Sequence, residues 1–224
     1  LTITTTIQNI SYDLDVQGNY IYSTSWAGGL RRFNYTIDIP EWEVIPLPMD
    51  DQDSLFCNNI DLSSYLLNPV DYDNQKAFSI YAESDTILWV GSAGGINKGV
   101  VQGDGCINWK NYNTDDGLGG FWVIGIIPQH FDSFTRLWLI SWDSVPPSGH
   151  KLTYTDDGGE TWEVVTQFEN LDIVVYNLSF SNKNIIASTD HGLYISDFDD
   201  GNFWVQLPVT EDINGERILT NNYY

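Results

Sequence analysis

The sequence predicts an all-β fold, and three observations support that prediction. Helical periodicity is missing, because no stretch of about a dozen residues keeps apolar positions at i, i+3, i+4 and i+7 without a Gly, Pro or Asn-Asp interruption. Short runs rich in β-branched and aromatic residues occur instead, such as Ile87–Val90 and Arg136–Ile140. Gly, Asn, Asp and Ser bound these runs, as expected of turns between strands.

The runs recur four times in one order, which predicts a repeat architecture. Each unit has an apolar strand, a small-residue turn, a second strand, an Asp/Gly/Asn-rich turn and a strand that opens on Trp. The first two of these strands are Tyr20–Ser25 and Leu30–Tyr35, Ile87–Gly91 and Ile96–Val101, Arg136–Ser141 and Lys151–Thr155, and Asn184–Ser188 and Leu193–Ser196. A further run precedes each unit and supplies an innermost strand, at Ile10–Val16, Phe78–Glu83, Trp122–Pro128 and Val174–Phe180.

A unit of about 40–50 residues with four strands is typical of a β-propeller blade. We therefore expect a β-propeller of four-stranded antiparallel blades at residues 10–48, 78–113, 122–168 and 174–208, with an acidic, Asn-rich insertion at 49–76. The four blades are expected to belong to a larger ring of six to eight. The alternative is a closed five-bladed ring completed by Leu1–Ile7 and Glu216–Tyr224.

The strand-opening tryptophans are expected to bury their rings between adjacent blades. They are Trp42, Trp109, Trp162 and Trp204.

Composition excludes several classes of protein. The net charge of −22 disfavours nucleic acid and anionic membrane surfaces, and no apolar run approaches the ~20 residues of a membrane span. With three histidines and two cysteines, the sequence offers too few ligands to favour a zinc site. Cys57 and Cys106 could form a disulfide, and the sequence leaves their pairing open. Because the chain starts at Leu1 and ends in strand-like residues, we expect a processed or partial chain.

One segment resembles a known repeat motif. Thr155, Asp157, Gly159, Thr161 and Trp162 match every defined position of the Asp box, the bacterial-neuraminidase repeat of β-propellers. In that family the box is a structural turn away from the catalytic face. The resemblance implies that the Asp157 carboxylate accepts backbone N–H bonds, that Gly159 takes a positive φ, and that Trp162 plugs the sheet interface.

A second resemblance covers more of the chain. The segments 110–118 and 136–139, together with Leu88-Trp89-Val90-Gly91-Ser92, look like the two-component-regulator propeller repeat, and 186–194 repeats that pattern without the Trp. The two resemblances together cover about residues 78–207. They imply a propeller fold, and they say little about function.

No catalytic constellation stands out from the sequence. A sialidase needs three converging arginines, but Arg31 and Arg32 are adjacent on one strand and so point to opposite faces. The 31 acidic residues allow many carboxylate pairs and single out none, so no catalytic residue is assigned and a glycoside hydrolase remains the alternative function.

No cofactor is expected, although two short oxygen-rich segments could be calcium loops. They contain Asn113 with Asp115, and Asp197 with Asp199. Turns capped by their own side chains are the favoured interpretation.

The leading functional hypothesis is a non-catalytic recognition propeller that is secreted, periplasmic or on the cell surface, as a module of a larger bacterial sensor or secretion-associated protein. Turns on one face of the ring are expected to bind a protein or glycan ligand. The candidate ligand residues are Trp26, Asp115, Asp116, Trp142, Asp143, Asp190 and His191. The alternative interpretation of these acidic residues is that they keep an exported protein soluble.

Overall fold

A computed structural model describes residues 10–61, 65–143, 149–208 and Asn214. The chain forms two compact units, Leu1–Ile126 and Ile127–Tyr224. The proposed fifth-blade segments, 1–7 and 216–224, lie outside the described residues. In the described part, no helix is long and apolar enough to cross a membrane.

The described chain forms seventeen strands in four antiparallel sheets. The first sheet has β1 Asp13–Gln17, β2 Tyr20–Ser25, β3 Gly29–Asn34 and β4 Trp42–Ile45. The second has β5 Ser54–Leu55, β6 Ala77–Ala82, β7 Ile87–Ser92, β8 Gly95–Val101 and β9 Ile107–Tyr112. The third has β10 Trp122–His130, β11 Thr135–Asp143, β12 Gly149–Thr155 and β13 Glu163–Val164. The fourth has β14 Val175–Phe180, β15 Asn184–Thr189, β16 Gly192–Asp197 and β17 Val205–Gln206.

In each sheet, four antiparallel strands lie side by side in chain order, which is the strand order of a propeller blade. The predicted fold class, all-β with four-stranded antiparallel propeller blades, is confirmed. The second sheet differs by one strand, because β5 from the insertion pairs with the outer edge of β9. One short helix, α1 at Thr166–Leu171, follows β13, and 3-10 turns occupy Cys57–Asn59, Asp73–Gln75 and Thr114–Asp116.

The turn between the second and third strands of three blades has the same backbone requirement. Gly29, Gly95 and Gly192 all have positive φ, of 63°, 111° and 98°. This region is open to glycine and costs other residues strain. Gly95 also leaves no room for a side chain, because an added Cβ would lie 2.1 Å from the Tyr112 carbonyl oxygen. The recurring glycine is therefore the local reason that these hairpins turn where they do.

The first unit is held together by an apolar core between its two sheets. Buried members of this core include Tyr22, Leu30, Ile80, Val90 and Trp109. Polar contacts supplement them on the innermost strand, β1. The carboxylates of Asp13 and Asp15 accept hydrogen bonds from the Ile80 and Ala82 amides of β6, at 2.9 and 2.7 Å. These bonds satisfy edge amides that would otherwise be unpaired.

The second unit has its own aromatic core. Trp138, Trp204 and Phe168 are each at most 2% exposed. The indole of Trp138 lies 4.8 Å from the ring of Tyr154 and 6.4 Å from that of Trp204. Its Nε1 donates to Oε1 of Gln129 at 2.8 Å. The core therefore combines large apolar side chains with a satisfied buried amide.

The prediction of buried strand-opening tryptophans is wrong for Trp42. Trp109, Trp162 and Trp204 are at most 9% exposed, whereas Trp42 is 48% exposed and contacts the ring of Phe33 at 5.0 Å. The strand register places Trp42 on the same face of the first sheet as four other apolar residues. We call this surface the open face, and it consists of Leu14, Val16, Ile21, Phe33 and Trp42. Leu14 and Val16 are 63% and 50% exposed. Within the described part of the first unit, no second sheet packs on this face, so the Trp42 ring is not buried between sheets.

The cysteines, whose pairing the sequence left open, form a disulfide. Cys57 and Cys106 are bonded with their Cα atoms 5.9 Å apart. The bond joins the insertion to the turn between β8 and β9. A disulfide is typical of proteins outside the reducing cytoplasm.

The turn from Thr155 to Trp162 is organised around one carboxylate. Oδ1 of Asp157 accepts from the Glu160 and Thr161 amides at 3.0 and 2.9 Å, and Oδ2 accepts from the Thr161 hydroxyl at 2.7 Å. Gly159 has φ +92°, and the Trp162 side chain is buried. Slight burial would raise the pKa of Asp157, but bonds from Thr161, Thr155 and Glu160 outweigh it and lower the pKa to about 2.

We expect Asp157→Ala to lower the free energy of unfolding by about 1–2 kcal/mol, because the two turn amides lose their acceptor.

For Asp157→Asn, the difference in free energy of unfolding from the parent should be largest above about pH 4 and should shrink towards pH 2. The carboxylate stabilises the fold above its unfolded pKa of about 3.9 and loses that effect as the pH falls through its folded pKa. Urea unfolding at pH 7 and at low pH measures this. Glu160→Gln, next along the turn, is the control and should behave as the parent, and an Asp157→Asn difference that is constant with pH would contradict the assignment.

Candidate functional site

The predicted ligand residues divide between the two units. Trp26 lies in the turn between β2 and β3 and is 36% exposed. Asp115 and Asp116 lie in the 3-10 turn that follows β9. In the described part of the first unit, no hydrogen bond, ion pair or ring contact joins Trp26 to either aspartate. The four others, Trp142, Asp143, Asp190 and His191, belong to the second unit.

The first candidate calcium segment is closed by its own turn bonds. Oδ1 of Asn113 accepts from the Asp115 amide at 2.8 Å, and Oδ2 of Asp116 accepts from the Asn113 amide at 2.9 Å. This reciprocal pair is a capping box. At the second segment, Lys183 lines the same surface cleft as Asp197 and Asp199 and places a positive charge there. Within the described residues, no group of three or more His, Cys, Asp or Glu side chains is arranged to hold a metal ion.

In the second unit the structure brings Trp142 into an aromatic group. Trp142 and His150 are opposite each other on β11 and β12, and their rings stack with centroids 6.2 Å apart and planes 23° apart. The ring of Tyr176, on β14, lies 6.5 Å from that of His150. We call Trp142, His150, Tyr176, Asp190 and His191 the Trp142 cluster. Tyr176 is 59% exposed, so one side of the cluster faces solvent.

The carboxylate of the cluster is held by the backbone around it. Oδ1 of Asp190 accepts from the Val174 amide at 2.9 Å and lies 2.9 Å from Nδ1 of His191. The Asp190 amide donates to the Val174 carbonyl at 3.1 Å, which closes the connection between β14 and the turn after β15. Asp190 is therefore fixed in place by bonds to the start of the neighbouring strand.

His150 sits in an environment that keeps its ring neutral. Burial lowers the pKa of His150 below its usual value, and the charge of Asp190 opposes this shift without reversing it. At neutral pH the ring is therefore an aromatic surface with one donor and one acceptor nitrogen. Asp143 lies beside this group, opposite Gly149 at the end of the β11–β12 pair.

Two members of the Trp142 cluster, His150 and Tyr176, were not predicted from the sequence. His150 could have been found, because a hairpin between β11 and β12 places a residue opposite Trp142. Tyr176 carries no local signal, since it reaches His150 only through the position of β14 beside β12. The arrangement suits recognition, because exposed aromatic faces bind apolar ring surfaces and the neighbouring carboxylate and imidazoles can bond hydroxyl groups.

No protein-family model matches the chain, and no curated protein matches it. Among solved structures, the extracellular domain of the one component system BT4673 from B. thetaiotaomicron has a TM-score of 0.58 and 15% identity, over 94% of this chain and 24% of that one. A structure described as the extracellular domain of a hybrid two component system, BT4673, from the same organism has a TM-score of 0.30 and 13% identity, over 88% of this chain and 36% of that one. The corresponding domain of BT3049 has a TM-score of 0.40 and 14% identity, over 99% of this chain and 34% of that one.

The last two similarities are too low to support an argument. The similarity to the first BT4673 structure shows only that the two chains share a fold, because their sequence identity is 15%. The chain spans about a quarter of the length of that structure. This all-β, bladed chain therefore shares the fold of a part of a larger extracellular domain.

Proposed function

We propose that this chain is part of a non-catalytic recognition β-propeller, located outside the cytoplasm as a module of a larger bacterial sensor. The fold shared with part of the extracellular domain of BT4673 supports this role, and so does the Cys57–Cys106 disulfide. The blades are proposed to span residues 10–48, 78–113, 122–168 and 174–208. The turn at Thr155–Trp162 is proposed to be a structural Asp box.

The open face of the first sheet supports membership in a larger ring. Both faces of an interior propeller sheet pack on neighbours, and this one presents Leu14, Val16 and Trp42 to solvent instead. Exposed apolar faces of this kind mark surfaces that another element covers. A further blade, supplied by a longer polypeptide, is the proposed occupant.

The observation that carries the binding role is the Trp142 cluster. We assign to it a glycan, with a sugar ring stacked on Trp142 or Tyr176 and hydroxyl groups bonded to Asp190 or the histidines. Oδ1 of Asp190 already accepts from the Val174 amide and lies against Nδ1 of His191, so part of its hydrogen-bonding capacity is used within the fold. A neutral sugar therefore fits this site better than a basic peptide segment.

We expect Trp142→Ala and Tyr176→Ala to weaken binding of a responding polysaccharide by about tenfold each, because a ring stack contributes roughly 0.5–1.5 kcal/mol beyond its buried area. Affinity electrophoresis against a panel of neutral polysaccharides identifies the ligand, and calorimetry measures the variants. Phe203→Ala, another exposed aromatic of the same unit, is the matched control and should bind as the parent.

Two outcomes would overturn the glycan assignment. One is a bound polysaccharide whose affinity is the same in the parent and in both cluster variants. The other is salt-sensitive capture of a cationic peptide with no polysaccharide binding at all, since this would indicate a charged protein partner.

A further inference from the structure

The first unit contains a cavity of about 410 Å³ between its two sheets and the insertion. This volume lies within the ~300–1,000 Å³ range of small-molecule sites. Its inner wall comes from outer strands of both sheets, with Ile45 on β4 and Ile107 and Trp109 on β9. Its outer wall comes from the insertion, with Ile60 and Tyr65.

The inner wall is apolar. Ile45, Ile107 and Trp109 are buried and belong to the core of the unit. An apolar wall built on paired strands offers a ring-shaped ligand a preformed surface to pack against.

The polar groups at the cavity are compensated in charge. Nε of Arg32 donates to Oε2 of Glu43 at 2.7 Å, and its Nη1 donates to the Gly105 carbonyl at 2.5 Å. The Glu43 side chain remains 54% exposed, so it can accept a further bond. Because the cation and the carboxylate cancel, the site favours a ligand without net charge.

Tyr65 contributes to the outer wall, but its hydroxyl oxygen is buried from solvent. Burial raises the pKa of Tyr65 to about 12, so its hydroxyl stays protonated at neutral pH. The outer wall therefore adds no charge to the cavity.

The outer wall is tied to the sheet at several points. β5 pairs with β9, the Cys57 amide donates to Oδ1 of Asn108 at 3.2 Å, and Cys57 is bonded to Cys106. These ties hold the start of the outer wall against the sheet, so a ligand meets that part of the wall already in place.

We propose that this cavity is a second binding site, which takes a small uncharged molecule with an aromatic or apolar ring and at least one hydroxyl group. The ring packs against Trp109 and Ile107, and the hydroxyl bonds to Glu43. This site is independent of the Trp142 cluster and does not rest on the glycan assignment.

The test uses 4-fluorophenol as the probe, followed by fluorine NMR on the whole chain. Ile60→Trp fills the cavity and should weaken binding at least tenfold. Phe56→Trp introduces the same indole side chain at a 53% exposed position of the same segment and should leave binding unchanged. Charged 4-fluorobenzoate should bind at least tenfold more weakly than the phenol.

A second variant covers the case in which Ile60→Trp does not fold. Glu43→Ala removes the acceptor of the ligand hydroxyl at a 54% exposed position, and should weaken binding several-fold. Addition of the probe should also shift the Trp109 indole resonance in a nitrogen-15 spectrum. Absence of probe binding by the parent, or equal binding by the Ile60→Trp and Phe56→Trp proteins, would overturn the proposal.

Discussion

Replacing Trp138 by alanine is expected to lower the free energy of unfolding by about 4–5 kcal/mol. Trp138 is 0% exposed and packs on Tyr154 and Trp204, so truncation leaves a cavity that its neighbours cannot fill. The change also removes the donor that Oε1 of Gln129 accepts from. Gln129 is held by a bond from its Nε2 to the Phe198 carbonyl at 2.7 Å, so it cannot turn away to find another partner.

Trp42→Ala is the matched control for this prediction. The same side chain is removed, but from the half-exposed position on the open face, where little packing is lost. We expect a cost below about 1 kcal/mol. Urea unfolding followed by circular dichroism compares the two variants, and equal losses would show that Trp138 is not the central residue of its core.

Removing the disulfide by the double substitution Cys57→Ser and Cys106→Ser is expected to cost about 2–4 kcal/mol. The bond closes a loop between residues 49 positions apart, so its loss restores much conformational freedom to the unfolded chain. It also releases the insertion, which otherwise depends on the two-residue β5 pairing and a few side-chain bonds.

A reductant provides the control for the disulfide. Dithiothreitol should destabilise the parent by a similar amount and should leave the double variant unchanged. If the parent unfolds at the same urea concentration with and without reductant, while free thiols are detected, then the bond does not stabilise this unit.

The strands and their turns could be predicted because their signals are local. Short runs of β-branched and aromatic residues between Gly and Asp clusters predicted the order of four strands in each sheet, but not β5 of the second sheet. The turn glycines and Asp157 act on backbone within a few residues, so their roles follow from short sequence windows.

The candidate site was predicted only in part, because signals in the sequence are local and part of the site is not. Asp190 stands in a turn and Trp142 near the end of β11, and the repeat pattern locates both places. Tyr176 joins them only where β14 lies beside β12, and this contact depends on how two sheets pack. Side chains that meet across sheets leave no mark in the spacing of either segment.

The sequence by itself determined the all-β class, the repeated order of four strands and the turns between them, because strand propensity and turn chemistry act between near neighbours. Only the tertiary structure decided that Cys57 bonds to Cys106, that β5 joins the second sheet and that Trp42 stays exposed. Each of these depends on which faces and edges meet after the sheets pack. Packing is set by the shape and area of whole surfaces, which a single repeat does not contain.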